Sequence, residues 1–110
     1  MVDTYQVITT PPANRSLEDI VDYLRSTASD ETALYVRNGI LETIKKLRTM
    51  PDSNGIQHNI STEEITYRRI IKWSYRIIFT IDEEEATVYV LLIDHTKRDP
   101  ERLKRIFGVE

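Results

Sequence analysis

Residues 75–93, YRIIFTIDEEEATVYVLLI, hold the decision about the fold. Tyr75, Ile77, Phe79 and Ile81 alternate with Arg76, Ile78 and Thr80, the period-two pattern of a strand that lays one face on a core. Asp82-Glu83-Glu84-Glu85 interrupts the run with four acids and reads as a solvated hairpin loop. Val88-Tyr89-Val90-Leu91-Leu92-Ile93 is apolar on both faces, which predicts a central strand. Upstream, a third strand-like run covers roughly Glu64–Ile71. Only Lys72, Trp73 and Ser74 separate it from Tyr75, so the two runs form a tight hairpin.

The flanks supply the rest of the domain. Tyr5, Val7 and Thr9 alternate with Gln6 and Ile8 in a short strand, and Pro11-Pro12 ends it. Ser16 with Asp19 three residues on resembles a helix start, and Leu17, Ile20, Val21 and Leu24 then predict a helix over about 16–27. Ser29-Asp30-Glu31 suits the positive end of a second helix. Its stripe is Ala33, Val36, Ile40, Ile44 and Leu47, reinforced by Leu34 and Leu41, and Pro51 stops it. The short link makes the two helices an antiparallel hairpin. Asp52-Ser53-Asn54-Gly55 is a turn cluster. Asp99-Pro100 starts a terminal helix with apolar Leu103, Ile106 and Phe107, and Gly108 ends it. The order β-α-α-β-β-β-α predicts a single α+β domain over residues 1–110: a strand, a helical hairpin, a three-stranded antiparallel meander and a C-terminal helix, with helices on one face of the sheet.

A chain of 110 residues is enough for one core. Hydrophobic residues make up 40% of it and charged residues 30%, which excludes a disordered composition. Neither a signal peptide nor an apolar run of ~20 residues is present, so no membrane and a cytoplasmic location are expected. Without cysteine there is no disulfide, thiolate metal site or thiol nucleophile, and two distant histidines make a poor metal site. No cofactor motif is present either. Fifteen Lys and Arg against 18 Asp and Glu leave a net charge of −3, which disfavours whole-surface binding to nucleic acid.

The cations are nonetheless clustered. Between Tyr67 and Ile81 stand Arg68, Arg69, Lys72 and Arg76 with no acid; between His95 and Ile106 stand Lys97, Arg98, Arg102, Lys104 and Arg105 against Asp99 and Glu101. With Trp73 and Ser74 as a two-residue turn, Ile71 faces Arg76, and Arg69 is their diagonal neighbour on an uncovered face. A turn one residue different puts Arg68 there instead. Arg69, Arg76 and the nearby loop His95-Thr96-Lys97-Arg98 are then either a cationic site for phosphate or acidic peptide, or solvated edge protection. Arg68, Lys72, Trp73 and Lys97 complete the candidate anion- or target-binding set. Trp73 either stacks on a base or packs at a sheet edge or protein partner. His95, beside Asp94 and Arg98, is either an oriented titrating group or a structural one.

The whole pattern resembles the RelE/ParE superfamily of bacterial type II toxin–antitoxin toxins. The residues that carry the resemblance are Tyr5-Gln6-Val7-Ile8, the helix end Ile44–Pro51, the strand Tyr75-Arg76-Ile77-Ile78-Phe79, and Val88–Ile93 running into His95-Thr96-Lys97-Arg98-Asp99-Pro100. The resemblance implies a growth-inhibiting, plasmid-stabilisation-type toxin neutralised by a cognate antitoxin, as a homodimer or a toxin–antitoxin hetero-oligomer. A ParE-like member poisons DNA gyrase and is no ribonuclease. A RelE-like member is a metal-independent nuclease that cuts mRNA on the ribosome, and Arg69, Arg76, His95 and Arg98 would then be catalytic. A third possibility is a non-toxic, antitoxin-binding homologue. RelE-like nucleases carry a base-stacking tyrosine near the C-terminus, where this chain has only Phe107. That departure, the net charge and the His-Thr-Lys-Arg-Asp-Pro segment favour the ParE-like side.

Overall fold

A computed structural model describes residues 4–109. The elements are β1 (Gln6–Thr9), α1 (Pro11–Thr27), α2 (Asp30–Lys45), β2 (Arg68–Lys72), β3 (Tyr75–Asp82), β4 (Thr87–His95) and α3 (Arg102–Ile106), with 3-10 turns at Lys46–Arg48 and Pro51–Ser53. The sheet order is β1-β4-β3-β2. The meander β2-β3-β4 is antiparallel, as the hairpin signals predict, and β1 adds to β4 in parallel, so the sheet is mixed. The doubly apolar β4 is central.

Each face of the sheet carries its own core. On one, Ile77, Phe79, Val88, Val90 and Ile93 pack against Ala13, Leu17 and Val21 of α1 and Ala33, Ile40 and Ile44 of α2. On the other, Ile78 meets Ile60, Tyr67 and Leu103, with Leu91, Leu92 and Phe107 alongside. Ile78 pairs with Leu92 and Phe79 with Val90, so Leu91 is a bulge residue and both leucines serve the second core. The face expected to be uncovered is therefore roofed by α3 and the 54–67 loop. The predicted helical hairpin holds one face; the C-terminal helix belongs to the opposite one.

Local departures have local causes. Helix α1 begins at Pro11, not near Ser16: proline at the first helical position sacrifices no hydrogen bond. Ser16 is instead interior, and its Oγ donates to Ala13 O and accepts from Ile93 N–H. Ser29 caps α2 as expected, accepting from Thr32 N–H at 3.0 Å. Leu34 points to solvent, outside the apolar stripe. Residues 64–67 are loop because Tyr67 is bound elsewhere: its N–H donates to Ser61 Oγ and its carbonyl accepts from Gln57 N–H. Asp99 Oδ1 accepts from Glu101 N–H, and regular helix starts only at Arg102. Gly108, at φ 67°, lets Val109 N–H reach Lys104 O and close the helix.

Candidate functional site

The β2–β3 turn has the register expected of a two-residue loop, with Ile71 opposite Arg76 and Lys72 opposite Tyr75. Arg69 and Arg76 do share a face. Burial then separates their chemistry. Arg76 is 6% exposed, and its Nη2 lies 2.9 Å from Asp94 Oδ2. Asp94 Oδ1 takes Arg102 Nη1 at 2.8 Å, so one buried carboxylate joins β3, β4 and the C-terminal helix. Arg76 Nε is buried without a partner. A guanidinium so enclosed is committed to the fold, where the open face predicted from sequence would have left it free for an incoming anion.

Arg69 holds the roof of the same face, and Arg68, which alternates to the other face, reaches the same loop from the sheet edge. Arg69 Nη1 donates to Ile56 O and Arg68 Nη1 donates to Asn54 O, the latter at 2.7 Å. Ile56 bridges Arg68 across the sheet edge, and Arg69 N–H donates to Gly55 O, so the loop shields the outer side of β2.

His95 pairs with Tyr75 on the helix side of the sheet, opposite to Arg76 and Asp94. Its ring meets Tyr75 edge-on, with centroids 5.4 Å apart. Nδ1 accepts from Lys97 N–H at 3.0 Å, which places the proton of the neutral ring on Nε2. Tyr75, in turn, is held above the ordinary phenol range by burial and by nearby Tyr23. Asp94, a sequence neighbour that could have oriented His95, turns the other way. The four residues expected to act together as a nuclease centre are thus divided: Arg69 and Arg76 on one face, His95 on the other, and Arg98 exposed in the loop beyond.

What the structure does assemble is the end of the sheet at Trp73. Thr96 N–H donates to Ser74 O at 2.8 Å, tying the 95–98 loop to the hairpin turn. Trp73 stands 5.3 Å from Tyr35 of α2, centroid to centroid, and Lys72 Nζ lies 4.5 Å from its ring. Gly39 is the floor beneath it: a Cβ there would come within 2.1 Å of the indole. Lys72 and Trp73 are thus in contact, and the Thr96 hydrogen bond brings the loop that carries Lys97 to the same end of the sheet. Tyr35 was missed, and its only sequence trace is the glycine four residues later inside a helix, a marker of close approach.

Two grooves lie away from this corner. One of about 500 Å³ runs between edge strand β1 and α2, lined by Tyr5, Val7, Thr9, Leu41, Lys45 and Arg48. The other, about 340 Å³, lies between α1 and α2 over Leu17, Val21 and Leu41. Among the described residues no group of three or more His, Asp or Glu side chains could hold a metal ion, and no helix is long and apolar enough to cross a membrane.

The sequence pattern of the family described as "ParE toxin of type II toxin-antitoxin system, parDE" matches residues 7–100. Among solved structures, the chain is similar to the chromosomal ParDE system from P. aeruginosa, at 19% identity and a TM-score of 0.70 over 86% of this chain and 98% of that one. It is similar to the toxin–antitoxin complex RelBE2 from Mycobacterium tuberculosis at 22% identity and 0.64, over 86% and 94%. The archaeal RelE–RelB complex from Pyrococcus horikoshii OT3 follows at 15% and 0.57, over 87% and 99%. At these identities the likeness is one of fold. No curated protein matches the chain.

Proposed function

This chain belongs to the ParE toxin family of type II toxin–antitoxin systems, and we propose that it arrests growth by binding and poisoning DNA gyrase until a cognate antitoxin neutralises it. The observation that carries this choice over a ribosome-dependent nuclease is the commitment of Arg76 to Asp94 inside the fold. Cleavage of RNA without a metal needs cations that face the scissile phosphate and a proton-transfer group within hydrogen-bond reach of the reacting oxygens. Here the buried arginine and His95 are on opposite faces of the sheet. Phe107, the only aromatic of the C-terminal tail, is packed at a tilt against Tyr67 with centroids 4.9 Å apart, as part of the second core. A gyrase-directed toxin requires exposed surface for a large protein and no such constellation.

The antitoxin reading draws on the solved neighbours that are toxin–antitoxin complexes. The two grooves meet at Leu41 and suit an extended or helical segment laid along β1 and the helix pair.

Induced expression in a bacterial host, with pulse labelling of DNA and protein synthesis in parallel, tests the reading. DNA synthesis is expected to fail first, with filamentation. Translation halting within minutes while DNA synthesis continues would replace it with the nuclease. Healthy growth would leave an antitoxin-binding homologue.

A further inference from the structure

Trp73 occupies a conformation that a tryptophan rarely adopts. Its φ is 53°, in the left-handed region that suits Gly or Asn, so the turn holds a strained bulky residue where a small one would relax it. Burial is only partial there: Trp73 is 47% exposed and its neighbour Tyr35 is 60% exposed. The glycine notch at residue 39 and the contact with Tyr35 instead hold the indole in one place on the surface. Three cations are carried by the turn and the loop beside it. Lys72 lies over the ring, Lys97 and Arg98 follow in the loop bonded to Ser74, and none of the three enters a salt bridge among the described residues. In a chain of net charge −3 this is a local cationic rim on a protein that is otherwise acidic.

We infer that the Trp73–Tyr35 corner is the surface with which this toxin grips its target, and that it enters an acidic, apolar-floored pocket on folded gyrase. The inference rests on the gyrase reading and adds the contact residues to it. A half-exposed aromatic pair held in one place, here between a turn and a helix, offers a preformed anchor surface, and Trp and Tyr dominate such contacts because they bury large area at small entropic cost. The concave grooves beside β1 and between α1 and α2 have the opposite shape and receive a segment. The unpaired cations are complementary to an acidic rim and speed encounter with it.

The test is binding of the purified toxin to purified gyrase at low and at physiological salt, for wild type, Tyr35→Ala, Trp73→Gly and Lys72→Glu/Lys97→Glu. Trp73→Gly relieves the positive φ, so its fold is expected to survive, and thermal unfolding verifies that. Wild type binding with roughly tenfold to hundredfold weakening in Trp73→Gly and Tyr35→Ala supports the corner. So does a flattened salt dependence in the double charge reversal. Equal binding by wild type and all variants overturns the corner and leaves the gyrase reading intact. No binding by wild type removes the gyrase reading, and this assignment with it. Loss of antitoxin capture with unchanged gyrase binding assigns the corner to the antitoxin and overturns the proposal.

Discussion

Arg76 Nη2 rests 2.9 Å from Asp94 Oδ2 with both side chains buried, and the same carboxylate receives Arg102 from the C-terminal helix. A buried pair of this kind costs desolvation on both sides, so it is weakly stabilising as a pair and severely destabilising when halved. Asp94→Asn is expected to lower unfolding free energy by about 3–5 kcal/mol, since it leaves the Arg76 cation buried and uncompensated. Arg76→Met combined with Asp94→Leu is expected to recover most of that loss, with Arg102 free to turn to solvent. Urea unfolding of the three proteins checks it; a double variant no more stable than Asp94→Asn would mean that the pair itself, as an ion pair, stabilises the fold.

Gly39→Ala sets two effects against each other. Alanine gains up to about 1 kcal/mol of helix propensity, while its Cβ would sit 2.1 Å and 2.5 Å from Trp73 ring atoms. Nothing encloses the indole on its outer side, so the ring is expected to leave the notch and the net stability to change by less than about 1 kcal/mol. Trp73 is the only tryptophan, so its emission should shift to the red with no change in far-ultraviolet circular dichroism. An unshifted emission would show that the helix moves instead.

The elements were legible wherever one periodicity dominated. The alternation of Tyr75 to Ile81, the apolar block at Val88–Ile93 and the stripe from Ala33 to Leu47 each name their partner face without tertiary information. The two-residue turn also fixed the β2–β3 register, and with it the shared face of Arg69 and Arg76. What that alternation does not carry is what lies on top. The 54–67 loop has no period, and its roof depends on Ile60, Tyr67 and Leu103 meeting across the chain. Arg68, Arg69 and Arg76 therefore read as an open site when they are capped or paired. Tyr35 was out of reach for a related reason: Gly39 signals that something approaches α2 closely, but not that a distant turn supplies it. Pro11 misled in a simpler way: a proline pair ends a strand and opens a helix equally well.

Ser16 is the only side chain that reaches β4 from α1 by a hydrogen bond among the described residues, at 3.0 Å from Ile93 N–H to Oγ. The parallel ladder of β1 ends at Val90, and the bulge at Leu91 follows it, so Ile93 N–H has no strand on that side. Ser16→Ala is expected to strand this donor at the core's edge, at a cost of about 1–3 kcal/mol. Amide hydrogen exchange at Ile93 should accelerate by more than at Ile77, its cross-strand partner. Equal protection in the variant would mean that water replaces the hydroxyl.

Tyr5 ties the entry of β1 to the acidic β3–β4 loop, its hydroxyl donating to Glu83 Oε2 at 2.7 Å. That hydrogen bond, then burial, then the negative charges of Glu83 and Asp52 push its pKa up to about 12 from the ordinary 10.0. The folded state therefore holds the proton more tightly than the unfolded chain. The stabilisation is complete below about pH 10 and is lost as the pH rises through about 12. Tyr5→Phe removes the titrating group, so wild type is expected to exceed it in stability by a constant margin at neutral pH. The margin should shrink between pH 10 and 12, and Glu83→Gln should shift that shrinkage to lower pH by weakening the acceptor. Urea unfolding across this range decides it: a margin that stays constant through pH 12 would mean that the hydroxyl ionises alike in both states.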